Sequence, residues 1–207
     1  IAVVYFAFFH KKEMASRNDA GEKDNWERFD FYGSRIIPAI GRYHISYKDQ
    51  RGTKTERDIE IKRAYESNGK YAVDAHCFLR NDYRSFVGER IQKASNLDSG
   101  EIVDDLVRDA ISQYFNSGAG RALTAIDKEW RGVAVLLFVC RADGRMMKSE
   151  RTIVAEFLKR RCNNIIFDDA ELDTAIKNLQ EPDQKEFKRI IQNLKIANDQ
   201  DQLNDLL

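Results

Sequence analysis

The spacing of apolar residues along this chain changes period near residue 98. Before it, apolar and polar positions alternate in short runs. Tyr43, Ile45 and Tyr47 alternate with polar neighbours, and Thr55 to Ile61 alternates again after the turn Asp49-Gln50-Arg51-Gly52. Asn68-Gly69 is a hairpin signal, because both residues tolerate positive φ. A strand is predicted from Tyr71 to Phe78. Arg80-Asn81-Asp82 reverses the chain, and a return strand is predicted from Tyr83 to Ile91. Short strands this closely spaced, with no long helix between them, predict a small barrel or a strongly bent antiparallel sheet. Ile36, Ile37 and Ile40 extend the β region toward Trp26.

From Asp98 the apolar residues fall at helical spacing. Asp98 with Glu101 reads as a capping box, followed by Ile102, Val103, Leu106, Val107, Ala110, Ile111, Tyr114 and Phe115 on one face. Gly118-Ala119-Gly120 reads as a break. Trp130 to Cys140 predicts a buried helix too short to cross a bilayer. Ser149 is placed to cap a helix over 150–160, and Asp168 with Glu171 to open one ending near Leu179. Pro182 sits where a helix start tolerates it, so a last helix is predicted to about Ala197.

Ile1 to Phe9 is continuously apolar and is followed by His10-Lys11-Lys12. Two readings stand side by side. Residues 1–12 are the remnant of a transmembrane anchor whose start lies upstream of Ile1, with the lysines on the cytoplasmic side, or they are a buried strand or docked helix. Residues 13–29 read as a linker. The first residue is not Met, and Leu203 to Leu207 looks like the start of a further helix, so the chain reads as part of a longer protein.

Composition changes this picture little, but charge distribution does. Lys+Arg and Asp+Glu both total 34, so the net charge is zero. Between Phe31 and Ser95, however, 13 Lys/Arg face 8 Asp/Glu, which makes this segment net +5 and the remainder net −5. A basic segment of this kind permits local anion binding at neutral overall charge. Cys77, Cys140 and Cys162 are widely spaced, with no Cys-x-x-Cys and no Cys/His cluster. They read as buried free thiols in a reducing compartment, and no structural zinc site is expected. There is no phosphate-cradling Gly-rich loop after a strand, no His-Glu-x-x-His and no serine nucleophile elbow. A non-enzymatic protein without a cofactor is therefore expected.

The candidate chemistry lies on the predicted hairpin: His76, Arg80, Tyr83, Arg84 and Arg90, with Tyr71 nearby. Arginine presents a planar fork of donors suited to phosphate or carboxylate. Tyrosine can stack on a base, and histidine can serve as a neutral donor or a switchable cation. By alternation His76 shares a face with Asp74 and Phe78, while Tyr71 falls on the apolar side with Val73, Ala75 and Cys77 and reads as a strand filler. The plainer alternative is solvated arginines, or arginines paired with Asp74, Asp82 and Glu89. Asp143 and Glu150 flank a turn and are candidates for a hard cation, but two carboxylates fall short of the six to eight oxygens Ca²⁺ takes. The favoured reading there is an ordinary turn, so no metal is expected.

Residues 30–95, through the run from Tyr47 to Ile91 and above all His76 to Ile91, resemble a WYL domain. The family's Trp-Tyr-Leu aligns with Lys70-Tyr71-Ala72 or Tyr71-Ala72-Val73, so only the tyrosine is kept. The resemblance implies a small SH3- or Sm-like barrel that senses a nucleotide or single-stranded nucleic acid. Residues 125–207 resemble the opening of a TerB-like, tellurite-resistance-type helical domain, with Asp143, Gly144 and Glu150 at the family's acidic turn. That family has been associated with metal and occurs beside single membrane spans. The expected fold class is α+β: an SH3/Sm-like β-barrel over 30–97, then an all-α helical bundle over 98–207. The expected function is ligand sensing in a bacterial stress response or in phage defence, with an unknown protein partner on the helical domain. The expected location is the cytoplasm, with tethering to the inner face of the cytoplasmic membrane if the anchor reading holds. The alternative is a membrane-associated scaffold or co-chaperone-like adaptor. A DNA-binding regulator would need a winged helix outside this sequence.

Overall fold

The computed structural model describes residues 34–197. The apolar start at 1–12, the linker at 13–29 and the helix start at Leu203 lie outside the described residues. The described residues form seven strands and then six helices, an α+β arrangement in two compact units that divide between Tyr114 and Phe115.

The first unit is an antiparallel sheet. Its strands are β1 (Arg35–Ile37), β2 (Gly41–Lys48), β3 (Lys54–Ser67), β4 (Lys70–Cys77), β5 (Asp82–Val87), β6 (Ile91–Asn96) and β7 (Ile102–Val103). They are hydrogen-bonded in the order β5-β4-β3-β2-β6-β7, with β1 also on β3. At 14 residues β3 is the longest strand and the one that organises the sheet. Its start pairs with β2, its end pairs with β1, and its other edge carries β4. The β3–β4 register shifts between Ile61 and Arg63, near where β3 changes partner from β2 to β1. An irregularity of that kind bends a strand and increases its twist. The sheet curls accordingly. Phe86 on β5 meets Tyr47 on β2 edge-on, with ring centroids 5.1 Å apart, and the Val87 N–H lies 3.4 Å from Tyr47 Oη. The hydrogen-bonded order nevertheless has two ends, β5 and β7, and no ladder among the described residues joins them.

Alternation fills the core. Tyr43, Ile45, Ile59, Ile61, Val73, Ala75 and Cys77 are fully buried or nearly so in one cluster. Asn68 and Gly69 take φ of 51° and 76°, the left-handed pair that a two-residue hairpin of this twist requires. The return strand ends at Val87, not at Ile91. Gly88–Arg90 forms a 3-10 turn in which a Cβ on Gly88 would come within 3.2 Å of the Tyr71 carbonyl oxygen. After this turn Ile91 pairs with Tyr47 on β2 and opens β6.

The capping box expected at Asp98 does not start a helix. The Asn96 side chain accepts the N–H groups of Asp98 (2.8 Å) and Ser99 (3.1 Å), which makes a tight turn. Ile102 and Val103 then pair back onto β6. Helix α1 (Leu106–Asn116) begins later, where Asp105 Oδ1 accepts the Arg108 N–H at 3.0 Å. Its Leu106, Val107 and Ala110 pack into the sheet core.

The second unit holds α2 (Gly118–Lys128), α3 (Trp130–Cys140), α4 (Lys148–Arg161), α5 (Asp169–Lys177) and α6 (Gln184–Ala197). The expected break at Gly118-Ala119-Gly120 is instead a helix start, because the Ser117 hydroxyl accepts the Gly120 N–H at 3.2 Å. Asp168 caps α5 by accepting the N–H groups of Ala170 and Glu171. Helix α4 starts at Lys148, one residue before the expected Ser149 cap, with the Met147 N–H held by Glu150 Oε2 at 2.6 Å. The apolar α3 packs against α4 and α6, and α5 packs against α2 and α4. The Phe138 and Phe187 rings stack at 3.9 Å. The buried Glu129 between α2 and α3 is paired with Arg161 Nε at 3.2 Å. Among the described residues no helix is long and apolar enough to cross a membrane.

Candidate ligand-binding site

The hairpin β4–β5 forms one end of the sheet, and its register sorts the candidate residues. His76 lies directly opposite Tyr83, Ala75 opposite Arg84, and Asp74 opposite Ser85. Residues 74, 76, 83 and 85 therefore share the solvent face, and Arg84 lies on the core-facing side. On the solvent face the His76 ring meets Phe78 at 5.1 Å and Tyr83 at 5.4 Å, both edge-on. Phe78 is 49% exposed and Tyr83 50% exposed, so this group of rings is open to solvent. Phe78 carried a usable sequence signal, since it alternates in phase with His76, but the expected site did not include it.

The arginines do not gather at one point. Arg80 is exposed in the turn beside the rings. Arg84 is exposed on the other side of β5, and Arg90 is half-buried in the 3-10 turn beyond the strand's far end. The six residues of β5 span roughly 20 Å at strand rise, so Arg80 and Arg90 flank the strand from opposite ends. Tyr71, expected on the apolar side, is 40% exposed.

Around the rings the solvent face is ordered by ion pairs. Asp74 accepts Arg63 Nε at 3.0 Å and the Tyr65 hydroxyl at 2.7 Å on one oxygen, and the Ser85 hydroxyl at 2.6 Å on the other. One carboxylate thus joins β3, β4 and β5. Burial and the bond to Asp74 push the Tyr65 phenol well above its ordinary range. Glu60, opposite His76 on β3, is held by Lys62 at 2.6 Å, which lowers its pKa. On β2, Arg42 pairs with Asp98. His44 lies between Asp58 (Nδ1, 2.7 Å) and Glu56 (Nε2, 3.2 Å), and its pKa is raised chiefly by the hydrogen bond to Asp58.

The turn in the second unit uses its carboxylates locally. Asp143 Oδ1 accepts the Arg145 N–H at 3.2 Å, and Glu150 caps α4 as described above. Among the described residues no group of three or more His, Cys, Asp or Glu side chains is placed to hold a metal ion. Cys77, Cys140 and Cys162 are buried free thiols, and burial raises the pKa of the last two.

No known family profile matches the chain, and no curated protein is similar to it. Among solved structures it is similar to the proteasome accessory factor B/C (PafBC) of Arthrobacter aurescens, at 25% identity and a TM-score of 0.26. That likeness covers 31% of this chain and 10% of the other. Overlap of that extent, at that score, assigns neither a fold nor a role to the chain.

Proposed function

We propose that this protein is a non-enzymatic sensor whose sheet unit binds a base-bearing anion, either a nucleotide or a single-stranded nucleic acid. The helical unit would relay binding to a protein partner. The observation that carries this reading is the group of His76, Phe78 and Tyr83 rings on the solvent face of the end hairpin. Exposed rings offer a base a stacking surface, and each stacked base contributes roughly 1–3 kcal/mol. Arg80 in the adjoining turn supplies a donor fork for phosphate. The WYL resemblance of residues 30–95 points the same way, and a curled SH3- or Sm-like barrel is the fold it implies for this unit.

The test is fluorescence anisotropy with short single-stranded DNA and RNA, alongside thermal shift with nucleotides. Tyr83→Ala and Phe78→Ala are each expected to weaken binding about tenfold, the equivalent of one lost stacking contact. Binding that is absent at low salt, or unchanged in both variants, sinks the reading.

A second reading, an adaptor that binds a protein through the TerB-like helical unit, is favoured by one observation. Val139, Met147, Ile153 and Ile166 of that unit are 62%, 56%, 51% and 82% exposed. Membrane tethering of such an adaptor rests on residues 1–12, and metal binding at Asp143 and Glu150 on the family resemblance alone. A pull-down that loses its partner in Ile153→Asp but not in Tyr83→Ala would favour the adaptor.

A further inference from the structure

Three arginines of the sheet unit are matched with carboxylates: Arg35 with Glu66, Arg42 with Asp98 and Arg63 with Asp74. Arg57 differs. It lies opposite the fully buried Ile45, on the core-facing side of β3, and is itself half-buried. Its Nε donates to Thr55 Oγ1 at 3.0 Å, and its Nη1 points to Cys77 Sγ at 3.7 Å. It has no carboxylate partner among the described residues. A thiol is a weak acceptor, so most of the five guanidinium N–H donors remain unmatched. Partial burial of a cation without an anion is costly, so an anion that reached this guanidinium would be bound favourably.

A second free guanidinium lies within reach. Arg84 is on the same side of the sheet, opposite Ala75, and has no hydrogen-bond or ion-pair partner among the described residues. Cys77 sits on β4 between the two strands. Arg84 is its diagonal neighbour, roughly 7–8 Å away across the strand pair, so the long side chain can extend to where the Arg57 guanidinium already lies. One carboxylate on that side is Asp82, opposite Cys77, and its Oδ1 accepts the Tyr83 N–H at 2.8 Å.

We propose that Arg57 and Arg84 form a phosphoryl-binding clasp beside Cys77, on the opposite side of the β4–β5 hairpin from the rings. Two planar donor forks suit the several oxygens of a phosphoryl group better than a single carboxylate. The clasp deepens the sensor reading, on which it rests, by giving a ligand with more than one phosphoryl group a second place, across the hairpin from Arg80 and the rings.

The experiment is calorimetric titration of the full chain with pyrophosphate, adenosine 5′-monophosphate and adenosine. Arg57→Gln and Arg84→Gln are each expected to weaken pyrophosphate binding about tenfold, the equivalent of one charge-assisted hydrogen bond, and to leave adenosine unchanged. Arg57→Lys keeps the charge without the fork and is expected to recover only part of the loss. Tyr83→Ala is expected to do the reverse, weakening adenosine and leaving pyrophosphate within about twofold. If Arg57→Gln fails to fold, Arg84→Gln decides, because that side chain holds nothing among the described residues. Absence of pyrophosphate binding to the native chain, or equal binding by Arg84→Gln, overturns the clasp. If pyrophosphate binds through the arginines while Tyr83→Ala changes nothing, the clasp stands and the base-stacking reading falls.

Discussion

Tyr43 shows how much can rest on one side chain. It is fully buried, and its hydroxyl donates to Asp109 Oδ2 at 2.7 Å while accepting from Gln113 Nε2 at 3.0 Å, tying β2 to α1. Burial, then Asp109, push its phenol well above the ordinary tyrosine range. Tyr43→Phe should cost about 1 kcal/mol in urea denaturation, the lower end of the scale, because Gln113 still donates to Asp109 at 2.9 Å. The raised pKa also fixes a sign. The contribution is complete below the unfolded-state pKa of about 10 and is lost as pH rises beyond it, a loss that Tyr43→Phe should not show. His44 acts in the same direction nearer neutrality. Its pKa is raised by Asp58, with Glu56 also facing it, so its contribution is present below about pH 6.5 and fades as pH rises. The urea midpoint should therefore fall slightly between pH 6 and pH 8 in the native protein and less so in His44→Gln. At this scale the sequence was informative where alternation alone decides. His76 and Tyr83 share a face because strand register puts them opposite each other. By the same alternation Arg84 falls on the other face from Tyr83. Alternation does not reveal where a strand ends, so the separation of Arg90 from the rings became visible only with the 3-10 turn at Gly88.

Among elements, α3 and α4 meet closely at Gly132. A Cβ on Gly132 would overlap the Phe157 ring, which is itself almost completely buried. Gly132→Ala should destabilise the helical unit by roughly 1–3 kcal/mol despite the better helix propensity of alanine, because overpacking outweighs propensity here. Thermal melting read at the Trp130 side chain would measure it. Most elements could be read from apolar spacing, α3 above all, since eleven nearly continuous apolar residues have one compact solution. The exceptions have local causes. β7 is two residues long and depends on the Asn96 side chain for its turn, and α2 begins with two glycines whose low helix propensity conceals the Ser117 cap.

For the whole molecule, two units with separate cores imply two stabilities. In Gly132→Ala, amide exchange should accelerate across residues 120–160 and stay unchanged across 43–77. A uniform acceleration would mean that the units unfold as one. Net charge has a molecular consequence too. At zero overall charge the chain exerts little long-range pull on an anion, so affinity must come from local arginines. Oligonucleotide binding should accordingly lose only a few phosphate contacts' worth of salt dependence.

The placement of β3 also bears on the order in which the chain assembles. Its ladders with β2 and β4 are both hairpins, closed by short turns, whereas β6 must return to β2 across about half of the unit. Closing the longer loop costs more chain entropy and gains contacts only at the end. The transition state for folding of this unit should hold β2, β3 and β4 in place with β6 still unpaired. Conservative truncations at Ile59 and Ile61 would then slow folding, while one at Ala94 on β6 would mainly speed unfolding.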